Sequence, residues 1–309
     1  MEAMSQPRAI VAGATYLLTR RALRRHFLFR PDAAITQLIV YALAVSARRY
    51  GIRVHALCAM STHLHVVVTD VGGVLPRFLQ FFHRLVALGT KAIRAWEGPV
   101  WGHEATSVVR LVTRAAVAEK IAYTLANPVG AGLVRHAREW PGAKVLVGEL
   151  GRGVLRAKRP GVYFDPSNPA WPEDAAIVLA LPPAVAEDDA DAFRLEVGAE
   201  LERQEAEAHA SMHRKGHRFL GADRVRKISP AQRATSSEPS RGFNPTFAVG
   251  RGHADARRTV AAAVRAFRTA YREALEQWRA GLRDALFPAE TWWMRVFHGA
   301  SVSDPVIVL

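Results

Sequence analysis

Val54-His55-Ala56-Leu57-Cys58-Ala59-Met60-Ser61-Thr62-His63-Leu64-His65-Val66-Val67-Val68-Thr69 contains two apolar runs rich in Val and Leu, divided by the small polar pair Ser61-Thr62. Runs of this length and composition read as strands, either an antiparallel pair turning at Ser61-Thr62 or one bent strand. On both sides the period changes to that of helices. Upstream, Ile35, Leu38, Ile39, Leu43 and Val45 form one apolar face from Ala33 to Tyr50, with Asp32 placed to cap its start and Gly51 to end it. Downstream, after Gly72-Gly73, Leu75 to Trp96 carries Phe78, Leu79, Phe82, Leu85, Val86 and Ile93 at helical spacing, and Gly98-Pro99 stops it.

The flanks complete the pattern. Ala9 to Thr19 predicts a first strand running into the basic stretch Arg20 to Arg25. Ser107 to Thr113 predicts a fourth strand, and Ala115 to Ala126 a helix that ends before Pro128. The order is β-α-β-β-α-β-α. This predicts an α+β fold: a ferredoxin-like βαββαβ antiparallel sheet with helices on one face, a following helix that bears Tyr123, and a largely helical C-terminal extension.

The composition shifts near residue 150. A Gly- and Pro-rich stretch, 151–172, precedes a strand-like run at Ala176 to Leu181 and a charged helix from Ala192 to His213. Ser229 to Asn244 reads as a linker, and Ala254 to Leu286 as a long amphipathic helix. Two units are therefore expected, 9–150 and 151–309, with a flexible linker near 229–245.

The chain has 309 residues, 42 Lys+Arg against 28 Asp+Glu, and a formal net charge of +14. Residues 1–150 hold 19 of those cations and only 8 of the acids, so the basic field belongs to the first unit. A polyanion partner is implied, because cations that neutralise phosphates release condensed counterions; DNA, RNA and anionic lipid all fit charge alone. No apolar run reaches the roughly 18 to 20 residues of a bilayer span, so no membrane is expected. The N-terminal residues lack a signal pattern, and the single Cys58 sits inside an apolar strand as a buried thiol; both suit a cytoplasmic setting.

Two clusters carry chemistry. His63 and His65 are two apart on a strand, so both imidazoles point to one side, with Cα atoms roughly 6.5 to 7 Å apart, and can converge on a cation. Taken alone, such a pair is equally two polar residues on a solvated sheet face. Tyr123 and Asn127 lie at i and i+4 and share a helix face. Taken alone, they are a packing residue and a helix C-terminal residue before proline.

Together, in this order, the clusters resemble the HUH single-tyrosine transposases, in particular the REP-associated tyrosine transposase branch. The resemblance spans about residues 13–142. It includes Tyr16-Leu-Leu-Thr19-Arg20-Arg21, Gly98-Pro-Val-Trp101, the His63-x-His65 strand and Tyr123-x-x-x-Asn127-Pro128-Val129-x-Ala131-Gly132-Leu133-Val134, followed by Trp140-Pro141. The chain has Ser61-Thr62 where that branch has Pro-Asn, and Asn127 where Gln is typical.

The resemblance implies a nuclease domain at 9–150 in which His63, His65 and Asn127 hold a divalent metal, Mg²⁺ or Mn²⁺. Tyr123 attacks a phosphodiester to give a 5′-phosphotyrosyl link and a free 3′-OH. The partner implied is DNA, single-stranded or hairpin-bearing, with the site made within a monomer or shared in a homodimer. Arg20, Arg21, Arg24 and Arg25, and Arg77, Arg84, Lys91 and Arg94 on the second helix, are the candidate backbone contacts. The alternative is a non-catalytic single-stranded or hairpin nucleic-acid-binding protein derived from such a transposase.

Overall fold

The computed structural model describes residues 7–235 and 245–304. The central elements are β1 (Ala14–Arg21), α1 (Ala33–Tyr50), β2 (Ile52–Ala59), β3 (His63–Asp70), α2 (Leu75–Arg94), β4 (Ser107–Leu111) and α3 (Arg114–Gly130). The strands form a mixed sheet in the order β2-β3-β1-β4-β7, where β7 is Phe247–Ala248. β2, β3, β1 and β4 pair antiparallel, and β7 runs parallel to β4. The α+β class expected from the sequence is present.

Local chemistry sets the helix ends. Asp32 accepts from the Ile35 amide, and Gly51 turns the chain out of α1 at φ 63°. Where α1 crosses α2, Gly89 allows Leu38 to pack directly on the helix backbone; a Cβ there would lie 2.3 Å from Leu38 Cδ1. The expected end of α3 is corrected. The helix runs through Pro128 to Gly130, because a proline in a last turn costs only one amide bond, and the turn closes instead through Ala131 N to Asn127 O and Leu133 N to Pro128 O.

Strand alternation sorts the sheet into two faces. Thr15, Leu17 and Thr19 of β1 share a face with Thr69, Val67 and His65 of β3 by register, and α3 packs there, with the Tyr123 ring against His65. Arg20 points the other way, against Trp101, whose Nε1 donates to His83 O on α2. The sheet is therefore covered on both faces rather than on one. The main core runs through both layers, from Tyr16, Leu18 and Val66 to Phe78, Phe82, Ile121 and Leu125.

The C-terminal part wraps this unit. A hairpin of β5 (Val154–Lys158) and β6 (Asp174–Val178) packs on α1, and α4 (Ala190–Arg214) lies along α3. Arg114 at the start of α3 pairs with Asp189 and Glu196. A short α5 (Ala222–Lys227) follows, then α6 (Ala254–Arg279) and α7 (Trp293–His298). The expected helix to Leu286 ends at Arg279, because Gly281 takes φ 99° and Leu282 N turns back to Gln277 O. Residues 236–244 of the expected linker lie outside the described residues, while Gln232 and Ala234 make backbone bonds to Phe27 and Arg25. The segment around 180 is held by His55. The imidazole is fully buried, with Nδ1 2.8 Å from Ala180 O and Nε2 2.7 Å from the Thr69 hydroxyl.

Burial lowers His55 from the ordinary imidazole value to about 4. The unfolded chain therefore binds this proton first. The stabilisation is complete above about pH 6.5 and disappears as pH falls through about 4, a difference of about 3 kcal/mol. Urea unfolding of wild type and His55→Gln at pH 7 and pH 4.5 tests this. The variant's stability is expected to fall less with acid; identical pH slopes would rule out His55 as the source.

Candidate active site

β3 and α3 bring the sequence-derived residues together within one chain. The His63 and His65 rings have centroids 4.7 Å apart, and His65 and Tyr123 5.3 Å apart, both edge to face. His63 Nε2 lies 3.1 Å from Asn127 Oδ1. Tyr123 is 41% exposed, whereas His65 is 2% exposed, so a partly exposed ring sits against a buried imidazole.

Each imidazole is oriented from behind by a threonine. Thr19, opposite His65 in the β1–β3 register, places its hydroxyl 2.8 Å from His65 Nδ1. Thr62 places its own 2.9 Å from His63 Nδ1. With Nδ1 engaged, the other edge of each ring is Nε2, which in His63 meets Asn127 Oδ1. His65 Nε2 is buried and has no hydrogen-bond partner among the described residues. A buried nitrogen left unpaired costs about 1 to 3 kcal/mol, an orphaned atom of the kind that a cation would satisfy.

Electrostatics keep that ring neutral. Burial, then the neighbouring His63 and Arg21, hold His65 well below the ordinary imidazole range. The donor set of two Nε2 atoms and one amide oxygen fits a divalent cation with coordination sites left over. Among the described residues no group of three or more His, Cys, Asp or Glu side chains could hold a metal. The oxygen beside the pair is that of the Asn127 carboxamide, 3.1 Å from His63 Nε2.

The cations separate into classes. Arg21 faces His63 across the β1–β3 register, and Arg24 and Arg25 lie in the turn that follows. Arg20 spends its guanidinium on Glu104 O and Gly102 O, at 2.6 and 3.2 Å. Arg94, with its side chain 9% exposed, clamps Asp32 at 2.6 Å and the Leu28 and Arg30 carbonyls. Lys91 donates to Glu97 O. Arg77 and Arg84 are exposed on α2, in the layer across the sheet from Tyr123.

Sequence reasoning gave no role to Thr19 or to Lys120. Lys120, one turn before Tyr123, holds its ammonium 5.8 Å from the phenol ring centroid and pairs with Glu119 at 3.3 Å. The i−3 spacing was the available signal for Lys120; for Thr19 the signal was strand register, which no local pattern reveals. Trp101 packs on Phe29 and donates to His83 O, a structural role. Cys58 is buried, its thiol pushed up to about 12. His209 bonds Arg135 O, and α4 ends at Arg214, ahead of His217, so His217 does not continue the helix face that His209 and His213 share.

No family model matches the chain, and no curated protein matches it. Among solved structures it is similar to a REP-associated tyrosine transposase bound to a REP hairpin, with TM-score 0.40 and 16% identity over 47% of this chain and 84% of that one. It is also similar to a protein of Deinococcus radiodurans R1 named as a transposase, with TM-score 0.27 and 20% identity over 34% of this chain and 85% of that one. Likeness at this level decides nothing about function, which rests on the geometry of the site.

Proposed function

We propose that the protein cleaves and rejoins single-stranded or hairpin-bearing DNA through a 5′-phosphotyrosine intermediate, with Tyr123 as nucleophile and a divalent cation, Mg²⁺ or Mn²⁺, held by His63, His65 and Asn127. The observation that carries this reading is the exposed Tyr123 ring stacked edge-on against a buried His65 whose Nε2 has no partner. The antiparallel order β2-β3-β1-β4 supports a ferredoxin-like sheet as the platform. Residues 9–150 would carry the chemistry, and the packing of α4 on α3 supports a bracing role for residues beyond 150.

In the reaction, the Tyr123 Oη–P bond forms as the P–O3′ bond breaks. The phenolic proton leaves to solvent, and the departing 3′ oxygen takes one up to become a 3′-OH. The phosphodiester energy is kept in the tyrosyl link, so the reverse attack by a 3′-OH rejoins strands without another energy source. A phenol with a pKa near 10 is a poor nucleophile at neutral pH; a bound cation supplies charge stabilisation for the phenolate and the phosphoryl oxygens. Lys120 adds a positive charge beside the same ring, and Arg21, Arg24 and Arg25 offer cations at the same end of the sheet. The experiment is incubation of a labelled hairpin oligonucleotide with the protein and Mn²⁺, then denaturing electrophoresis. A covalent adduct is expected, and its absence with every divalent ion tried would refute the reading.

Thr19 gives a finer test. Its hydroxyl fixes which nitrogen of His65 faces the cation, and loss of such an outer partner typically weakens metal binding about 10- to 100-fold. Thr19→Val is expected to weaken Mn²⁺ binding at least about tenfold by electron paramagnetic resonance titration, with Thr19→Ser restoring it. Equal Mn²⁺ affinity in Thr19→Val would remove Thr19 from the site.

A further inference from the structure

A recess lies apart from Tyr123, where α1, β5 and α5 meet. It encloses about 560 Å³, and its lining includes Pro31, Asp32, Pro141, Arg156, Lys158 and Arg226. Arg156 and Lys158 are two apart on β5, so they project from the same side of the hairpin, and both are exposed. Among the described residues neither makes an ion pair, although Asp174 stands opposite Lys158 in the hairpin register. Arg226 reaches Asp223 at 3.4 Å with both side chains well exposed, a contact of little strength.

The acid in the lining does not balance these charges. Asp32 is already paired with Arg30 at 3.0 Å and Arg94 at 2.6 Å, and it also caps α1. The lining thus presents Arg156, Lys158 and Arg226 beside one carboxylate that Arg30 and Arg94 already hold. Concave walls lined by one sign of charge focus the field and attract a polyanion.

Its place in the fold ties it to the candidate site. Phe29 N donates to Ser61 O at 3.0 Å, and Trp140 Nε1 donates to Ala59 O at 2.9 Å. Pro31 lies two positions after Phe29 and Pro141 directly after Trp140, and Ser61 precedes His63 by two positions. The wall of the recess and the histidine pair are therefore joined through two residues of chain on either side of one backbone hydrogen bond, a reach of at most about 20 Å. That distance matches a few nucleotides of strand.

We propose that this recess seats the sugar–phosphate backbone of the DNA flanking the phosphate presented to Tyr123. The proposal takes its register from the strand-cleavage reading above, but binding can be measured without any cleavage.

The test uses the full chain with Tyr123→Phe, in EDTA, so that nothing is cut. Fluorescence anisotropy would follow one hairpin oligodeoxynucleotide carrying either a short or a long single-stranded flank, across a salt series. The triple substitution Arg156→Ala/Lys158→Ala/Arg226→Ala, at three exposed positions, is expected to weaken long-flank binding about tenfold or more. It should also lower the slope of log affinity on log salt by about two, at roughly 0.7 per contacted phosphate on a single strand. Short-flank affinity should stay within about twofold. An unchanged long-flank affinity and slope overturns the proposal, and so does an equal loss for both lengths. If melting shows that the triple variant folds poorly, Arg226→Glu alone provides the same comparison. Adduct formation on the short-flank oligonucleotide, measured with Tyr123 intact, separates the two readings. An adduct without a flank effect sinks the recess alone; a flank effect without any adduct sinks the cleavage chemistry alone.

Discussion

Tyr123→Phe protein is expected to form no covalent DNA adduct, and its strand cleavage should fall at least about a thousandfold, the scale on which enzymes lose activity when a nucleophile is removed. The substitution deletes one oxygen from a ring that is 41% exposed and stacked on His65 with centroids 5.3 Å apart, so packing of α3 should survive. Hairpin affinity in EDTA should change by less than about twofold, because an exposed phenol hydroxyl contributes little next to the phosphate contacts. Tyr16 is the internal control. It is 1% exposed, its hydroxyl is engaged with Val11, and burial raises it to about 12, so it is unable to reach or attack a phosphate. Tyr16→Phe should retain the adduct. An adduct that persists in Tyr123→Phe, or that disappears only in Tyr16→Phe, would move the nucleophile elsewhere.

The parts of the fold legible in the sequence were those set by local periodicity and caps. α1 has its expected bounds because Asp32 and Gly51 act within one turn of the helix ends they define. The two histidines face one side of β3, as alternation requires. What the sequence hid was non-local. Nothing near Thr19 says that it will stand opposite His65, because register is decided by whole-strand pairing. Nothing in the α2 arginines says which layer they occupy, so Arg77 and Arg84 looked equivalent to Arg21 until the sheet separated them. Arg94 looked like a surface cation, yet the carbonyls of Leu28 and Arg30 and the carboxylate of Asp32 claim it. The C-terminal part gave helices by periodicity, but its contact with α3 rests on pairs such as Arg114 with Glu196 that span 82 residues.

Removing His65 is expected to affect metal binding more than any other single change in the site. Among the described residues its buried Nε2 has no hydrogen-bond partner, and Thr19 already fixes the ring, so the nitrogen is pre-oriented and loses little freedom when a cation arrives. Loss of a direct ligand should exceed the 10- to 100-fold typical of an outer partner, so Mn²⁺ affinity in His65→Ala should fall more than about a hundredfold. Thermal unfolding gives a readout that needs no DNA. A cation that binds only the folded chain stabilises it by about 2.7 kcal/mol at a hundred times its Kd. Saturating Mn²⁺ should therefore raise the Tm of wild type and leave that of His65→Ala unmoved at the same concentration. Asn127→Ala should show an intermediate shift, because an amide oxygen is the weakest of the three donors and His63 and His65 remain. This ordering separates the catalytic reading from a protein that only binds nucleic acid. A binder has no use for an oriented, unpaired imidazole edge, and its Tm would ignore Mn²⁺ in wild type and variant alike while its hairpin affinity stayed insensitive to EDTA. That pair of results would leave Tyr123 without the charge stabilisation that its chemistry requires, whatever the DNA affinity.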